Sequence, residues 1–148
     1  MGIPVGQLVQ ILPASIAPVI VISGVGLLLL SMTNRYGRAI DRARDLVKDL
    51  EASLDEPRRR LVTEQIRIIY RRARSLRTAI LLSSLSILCV AVTVLALFAG
   101  LVAGVTADYV AVPCFGLSLI LLLGSLYFFI RDVMYSLTAL ELEVGPYK

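Results

Sequence analysis

The sequence predicts an all-α membrane protein, with three transmembrane helices and a cytoplasmic antiparallel coiled-coil hairpin between the first and the second. The first observation is that residues 11–32, 79–105 and 109–130 contain no charged residue. Each run reaches the roughly 20 residues that a helix needs to cross the hydrocarbon core of a bilayer. The second is that residues 33–78 hold 13 Lys or Arg and 7 Asp or Glu, a net charge of +6. The third is a heptad rhythm of apolar residues within that charged stretch.

The charge distribution predicts the topology, because loops rich in Lys and Arg stay in the cytoplasm. The charged stretch is therefore cytoplasmic, whereas the uncharged N-terminus and the turn at Asp108 lie outside. The C-terminal stretch is predicted to be an amphipathic helix, either on the membrane surface or against the base of the hairpin. Four segments follow: the N-terminal segment with the first transmembrane helix (1–32), the hairpin (33–78), the second and third transmembrane helices (79–130) and the cytoplasmic tail (131–148).

Two antiparallel helical arms are predicted for the hairpin: arm 1 precedes the turn at residues 55–57, and arm 2 follows it. On each arm apolar residues recur in steps of 4 and 3, the a/d spacing of a coiled-coil seam. The two seams match in register, because the residue numbers of each facing pair sum to 116. Asp55-Glu56-Pro57 supplies the turn, since proline is tolerated in the first turn of a helix but not in its interior. The seam positions are Tyr36, Ile40, Ala43, Val47, Leu50 and Leu54 on arm 1, and Val62, Ile66, Ile69, Ala73, Leu76 and Ile80 on arm 2.

Charged stripes lie outside this seam on both arms. An acidic stripe on arm 1 and a basic stripe on arm 2 could pair between neighbouring copies in a head-to-tail ring. The alternative is a solvated, positively biased helix face near anionic lipid. The stripes consist of Asp41, Asp45 and Asp49, and of Arg67, Arg71 and Arg74.

Small residues share faces of the first two transmembrane helices. Such faces let helices approach closely, and they predict a homo-oligomer. Alternatively, one face could line a narrow pore. The candidates for helix packing or pore lining are Pro13, Ala17, Gly24 and Ser31 in the first span, and Gly100 and Gly104 in the second.

The composition argues against several classes of function. The three apolar runs hold no ionisable residue, whereas proton relays and coupled carriers depend on such groups. The chain has no histidine, so we expect no enzymatic activity, catalytic residue, metal site or cofactor. Arg58-Arg59-Arg60 is too short a basic run to indicate nucleic-acid binding.

The row ILPASIAPVIVISGVGLLLLSMTNRYGRAIDRARDL, residues 11–46, resembles an uncharacterised family of small bacterial inner-membrane proteins, known as a domain of unknown function. The likeness covers a proline-containing span, Ser23-Gly24-Val25-Gly26, the leucine run and the exit Thr33-Asn34-Arg35. It implies the same three-span architecture in a bacterial inner membrane. It brings no activity, substrate or functional residue.

We expect a self-associating membrane scaffold or accessory subunit whose hairpin binds a cytoplasmic or membrane protein. Ile68, Leu46 and Tyr70 are apolar outside the seam, so they are candidate contacts, although Leu46 and Tyr70 could instead widen the seam. The alternative function is an anion-favouring homo-oligomeric channel, since arginines beside the spans would form a basic vestibule. These are Arg35, Arg38, Arg72 and Arg77.

Overall fold

Three helices make up the described part of the chain. The computed structural model describes the backbone of residues 5–52 and 55–144, and the side chains of Ile16, 18–51 and 55–134. The helices are α1 (Val5–Ala52), α2 (Glu56–Ala103) and α3 (Asp108–Val144). The expectation of an all-helical chain with three apolar helices is confirmed. By length and composition, stretches within Pro18–Glu51, Glu56–Ala103 and Asp108–Met134 could each cross a membrane.

The turn between α1 and α2 falls where the sequence predicts it. Asp55 accepts the first backbone hydrogen bond of α2, from Arg59 N to Asp55 O at 3.0 Å. Pro57 therefore sits in the first turn, where its missing N–H leaves no helical bond unmade. Glu56 places a negative charge at the positive end of the helix dipole. No break separates the apolar run from the charged arm in α1 or in α2.

A glycine cap ends α2. Gly104 has a φ of 67°, and Val105 N donates to Gly100 O at 3.1 Å. A left-handed residue followed by this backward hydrogen bond is the Schellman ending of a helix, and glycine adopts it without a steric penalty. α3 then begins with Ala107 O accepting from Val110 N and Ala111 N at 3.0 and 2.9 Å.

The chain divides into two compact units, each built from separate stretches of sequence. Unit 1 comprises the described residues up to Leu29 together with Leu82–Leu123. Val25, Val90 and Ala111 are buried in it, whereas large apolar residues such as Leu95 are exposed. Exposed apolar side chains at this density are typical of helices that lie in a lipid bilayer.

Unit 2 comprises Leu30–Leu81 and the part of the chain that follows Gly124. It contains residues 33–52 of arm 1 and residues 56–81 of arm 2. Its buried apolar residues are Met32, Leu46, Val62, Ala73, Leu76 and Ala79.

Burial along the two arms agrees with the heptad seam on arm 2 better than on arm 1. Every predicted seam position of α2 is buried or half-buried. On arm 1, Leu46 is 4% exposed and its neighbour Val47 is 42% exposed, so the buried position is one residue earlier than the heptad pattern predicts. Leu54 lies outside the described residues. The coiled-coil pairing itself stays a prediction.

Candidate functional site

Within unit 2, an oppositely charged pair joins α2 to α3 beside the apolar runs. Arg72 Nε lies 3.6 Å from Asp132 Oδ1, and the two side chains are 30% and 1% exposed. Within the described residues, no hydrogen bond reaches Arg72 Nε or either carboxylate oxygen of Asp132. The contact is therefore electrostatic, and Arg72 is the charge that compensates a carboxylate withdrawn from solvent.

The burial of this pair gives it a positioning role. Removing one partner of a buried ion pair costs about 3–5 kcal/mol, because the other charge is left without compensation. Asp132 can stay buried in α3 only while Arg72 of arm 2 lies beside it. The pair thus fixes arm 2 against α3.

In unit 2, the buried Ser125 of α3 contacts both α1 and α2. We call the height of this contact along the helices the Ser125 level. Ser125 Oγ of α3 donates to Ala79 O of α2 at 2.8 Å. The same oxygen lies 3.9 Å from Met32 Sδ of α1. Met32, Ala79 and Ser125 are each 0% exposed. A small residue that donates to a neighbouring helix's carbonyl permits this close approach.

Within unit 1, the Ser86 hydroxyl group joins α2 to α3, and two others bond within their own helices. Ser86 Oγ donates to Ser118 O at 2.8 Å, and Ser118 Oγ donates to Phe115 O of its own helix at 2.7 Å. Thr93 Oγ1 donates to Cys89 O at 2.9 Å. Ser86, Ser118 and Thr93 are all buried. These hydroxyls of the second and third spans therefore serve packing inside one chain.

The contacts between α2 and α3 recur every seven residues. Seven residues are nearly two helical turns, so such positions stay on one face of a helix. The residue numbers of each contacting pair sum to 204, an antiparallel register. The pairs are Arg72 with Asp132, Ala79 with Ser125, and Ser86 with Ser118. The residues of α2 that contact α3 are thus small or polar. They differ from the apolar seam residues of α2 that are predicted to face arm 1.

The four arginines of the predicted vestibule have different surroundings. Arg72 lies beside Asp132. The Arg35 guanidinium lies 5.5 Å from the centre of the Phe129 ring, a cation–π distance. Arg38 and Arg77 are exposed. Two of the four are therefore held by contacts within unit 2, and two are open to an external ligand.

Members of the two predicted charged stripes form ion pairs within their own arms. Arg44 lies 3.7 Å from Asp41, and Lys48 lies 3.6 Å from Asp45. On arm 2, Arg67 lies 4.0 Å from Glu64. The six stripe residues are all exposed. Exposed pairs of this kind contribute about 0–1 kcal/mol to the free energy of unfolding. The pairing of the stripes between copies stays a prediction.

The small residues differ in the space around them. A Cβ on Gly24 would meet nothing within 4 Å, whereas a Cβ on Gly100 would lie 2.7 Å from Ala107 Cβ and 2.9 Å from Val105 O. Gly100 and Gly104 therefore have local roles in ending α2 and forming its turn. Ser31 is exposed. The side chains of Pro13 and Ala17 lie outside the described residues.

Sequence reasoning missed Asp132 by assigning it to the tail. α3 continues through this residue to Val144, and Asp132 lies beside Arg72 of arm 2. This contact agrees with one of the two predicted placements of the C-terminal stretch, the one against the base of the hairpin. One signal was available: Arg72, Ala79, Ser86 and Thr93 already show a seven-residue recurrence of small and polar residues. The side chains of the tail beyond Met134 lie outside the described residues.

The apolar contact candidates also separate by burial. Leu46 is 4% exposed, which agrees with a seam residue, whereas Ile68 and Tyr70 are 49% and 68% exposed.

Cys89 and Cys114 are free cysteines. Where side chains are described, no group of three or more His, Cys, Asp or Glu residues could hold a metal ion.

The match to a known family rests on nearly the whole chain. A family model described as "Protein of unknown function (DUF2721)" matches residues 15–142. The chain belongs to the DUF2721 family. The resemblance seen in the first span and the first arm is thereby confirmed, and it extends over all three helices. No curated protein and no solved structure matches the chain. The DUF2721 match therefore establishes family membership and assigns no activity.

Proposed function

We propose that this DUF2721 protein is a non-enzymatic membrane scaffold or accessory subunit whose cytoplasmic hairpin binds a protein partner. The observation that carries the proposal is an exposed apolar face on arm 2. Leu61 is 68% exposed and Ile68 is 49% exposed. Seven residues apart, they lie within about 20° of each other around the helix. Large apolar residues exposed together indicate an interaction surface.

This apolar face belongs to the charged segment and not to an apolar run. Ile68 precedes Ala79 by 11 residues, about 16 Å along the helix axis. Charged residues, including Arg60, Glu64 and Arg67, surround it in the sequence. Lipid chains are therefore an unsuitable cover for Leu61 and Ile68, and a protein surface is a suitable one.

The Arg72–Asp132 pair supports the same proposal. Ile68 lies one turn before Arg72 on α2, so the contact that fixes arm 2 against α3 also holds the apolar face in place. A preorganised surface loses less conformational entropy when it binds, and it therefore binds more tightly.

Self-association and membrane placement complete the proposal. The exposed Gly24 and Ser31 leave one face of α1 open to close approach by another copy. We place the protein in a bacterial inner membrane, with the N-terminus outside and the C-terminus in the cytoplasm. The net charge of +6 on residues 33–78 supports this orientation.

Affinity purification of the full chain from crosslinked membranes tests the docking face. Ile68→Asp places a charge in the apolar face, so we expect one specific partner to be lost. Thr63→Asp adds the same charge at an exposed position about 140° away around α2 and should retain it. Equal recovery with both variants would exclude this face.

An anion-favouring channel is the second candidate. The exposed Gly24 and Ser31 on α1, followed by the exposed Arg38, favour it. The buried hydroxyls of α2 and α3 weaken it, because they serve packing within one chain. Native mass spectrometry should find at least four copies if a channel exists. In that case Arg35→Gln with Arg38→Gln should reduce anion flux in liposomes.

A further inference from the structure

Within unit 2, four arginines form a collar next to the apolar runs. Ser125 contacts both Met32 and Ala79, so these two residues lie at the Ser125 level on α1 and α2. Arg35 and Arg38 follow Met32 by three and six residues, and Arg77 and Arg74 precede Ala79 by two and five. At 1.5 Å per residue, all four lie within about 9 Å of that level along the helices.

No described carboxylate lies within 4.0 Å of a collar arginine. No Asp or Glu precedes Asp41, and none lies between Glu64 and Asp108. Asp132 is the described acid of α3 nearest to this level in sequence, but it is 1% exposed and paired with Arg72. Basic residues farther from the level do have carboxylates within 4.0 Å: Arg44, Lys48, Arg59 and Arg67. Four other arginines farther from the level resemble the collar in forming no ion pair with a described carboxylate: Arg42, Arg58, Arg60 and Arg71. The collar is therefore distinguished by its place beside the apolar runs, where no described carboxylate offsets its charge.

We infer that this arginine collar binds the headgroups of anionic phospholipids in the leaflet from which the charged segment projects. Arg38, Arg74 and Arg77 are exposed, and guanidinium groups match phosphate oxygens with two parallel hydrogen bonds. Arg35 is held over Phe129, which keeps its charge at the same level. Clusters of four or more basic residues beside a membrane helix attract acidic lipid. This inference stands independently of the docking face on arm 2.

A lipid titration of the full chain tests the collar. Phosphatidylglycerol is titrated into the detergent-solubilised protein, bound lipid is counted by native mass spectrometry, and phosphatidylcholine is the neutral reference. Arg38→Gln with Arg77→Gln should weaken phosphatidylglycerol binding about 25-fold, fivefold for each arginine. Arg38→Lys with Arg77→Lys keeps both charges and should retain most of the preference for phosphatidylglycerol.

The matched control removes the same charge far from the apolar runs. Arg58→Gln with Arg60→Gln changes two exposed arginines about 30 Å from Ala79 along α2 and should leave lipid binding unchanged. The inference is overturned if the Arg38/Arg77 glutamine pair binds like the wild type, or if the control pair loses as much. It is also overturned if phosphatidylcholine binds as tightly as phosphatidylglycerol, because the collar would then not recognise the negative charge of the headgroup.

Discussion

Asp132 is almost completely buried opposite Arg72, whose side chain is 30% exposed. The two partners of this ion pair are therefore not equivalent. Asp132 cannot regain water when its partner is lost, whereas Arg72 already reaches solvent. The long arginine side chain links a buried carboxylate of α3 to the charged arm of α2.

This asymmetry predicts unequal effects of two neutralising substitutions. Arg72→Gln should lower the free energy of unfolding by about 3–5 kcal/mol, because it leaves a buried charge without compensation. Asp132→Asn should cost less, about 1–3 kcal/mol, because Arg72 still reaches solvent and the buried amide lacks a hydrogen-bond partner among the described residues. Circular dichroism of unfolding in detergent measures both. The double variant should recover most of the loss caused by Arg72→Gln, and equal losses for the two single variants would contradict the assignment.

The Ser125 hydroxyl is predicted to stabilise the contact of the three helices at the Ser125 level in unit 2. Ser125→Ala removes the hydrogen bond to Ala79 O, and we expect a loss of about 0.6–1.5 kcal/mol. Ser125→Val should cost more, because its larger side chain does not fit at a position that is 0% exposed. The same unfolding experiment applies, with the exposed Ser84→Ala as control. A control that loses as much as Ser125→Ala would argue against the hydrogen bond as the cause.

Two glycines of the apolar runs should respond in opposite directions to alanine. Gly24→Ala should raise the unfolding free energy by about 0.5–1 kcal/mol, because the added Cβ meets nothing within 4 Å. Gly100→Ala should lower it by about 1–3 kcal/mol, because its Cβ would lie 2.7 Å from Ala107 Cβ. Thermal unfolding of both variants in one detergent gives the comparison. Stabilisation by Gly100→Ala would contradict the close approach in the α2–α3 turn.

Self-association through α1 predicts a change in subunit number. Gly24→Leu would fill the open face without disturbing the monomer, so native mass spectrometry should show a shift toward monomer. Gly26→Leu makes the same substitution about 160° away around the helix, where a Cβ also meets nothing within 4 Å, and should leave the subunit distribution intact. An unchanged distribution for Gly24→Leu would exclude this face as the contact.

The sequence was sufficient to predict the features that depend on local pattern. Three apolar runs predicted three helices, and the Asp55-Glu56-Pro57 turn lies between α1 and α2. Gly100 and Gly104 were predicted to serve helix packing or pore lining, although their spacing also fits the ending of α2. The same spacing is compatible with both roles, so the pattern alone could not separate them.

The buried pair could not be predicted, because it depends on a long-range register. Arg72 and Asp132 are 60 residues apart, and their contact follows only once α2 and α3 are aligned by their small polar positions. The burial of Leu46 and Val47 also depends on packing that a local pattern does not determine. The heptad pattern could not tell that Leu46 is the buried residue of the two.

Photocrosslinking from the apolar face of arm 2 tests the central claim most directly. A photoactivatable residue replaces Ile68 in the full chain in intact membranes, and replaces the exposed Thr63 as control. The docking proposal predicts one adduct of defined mass from position 68, which disappears when Leu61→Asp is added. No adduct from position 68, or the same adduct from position 63, would contradict the proposal.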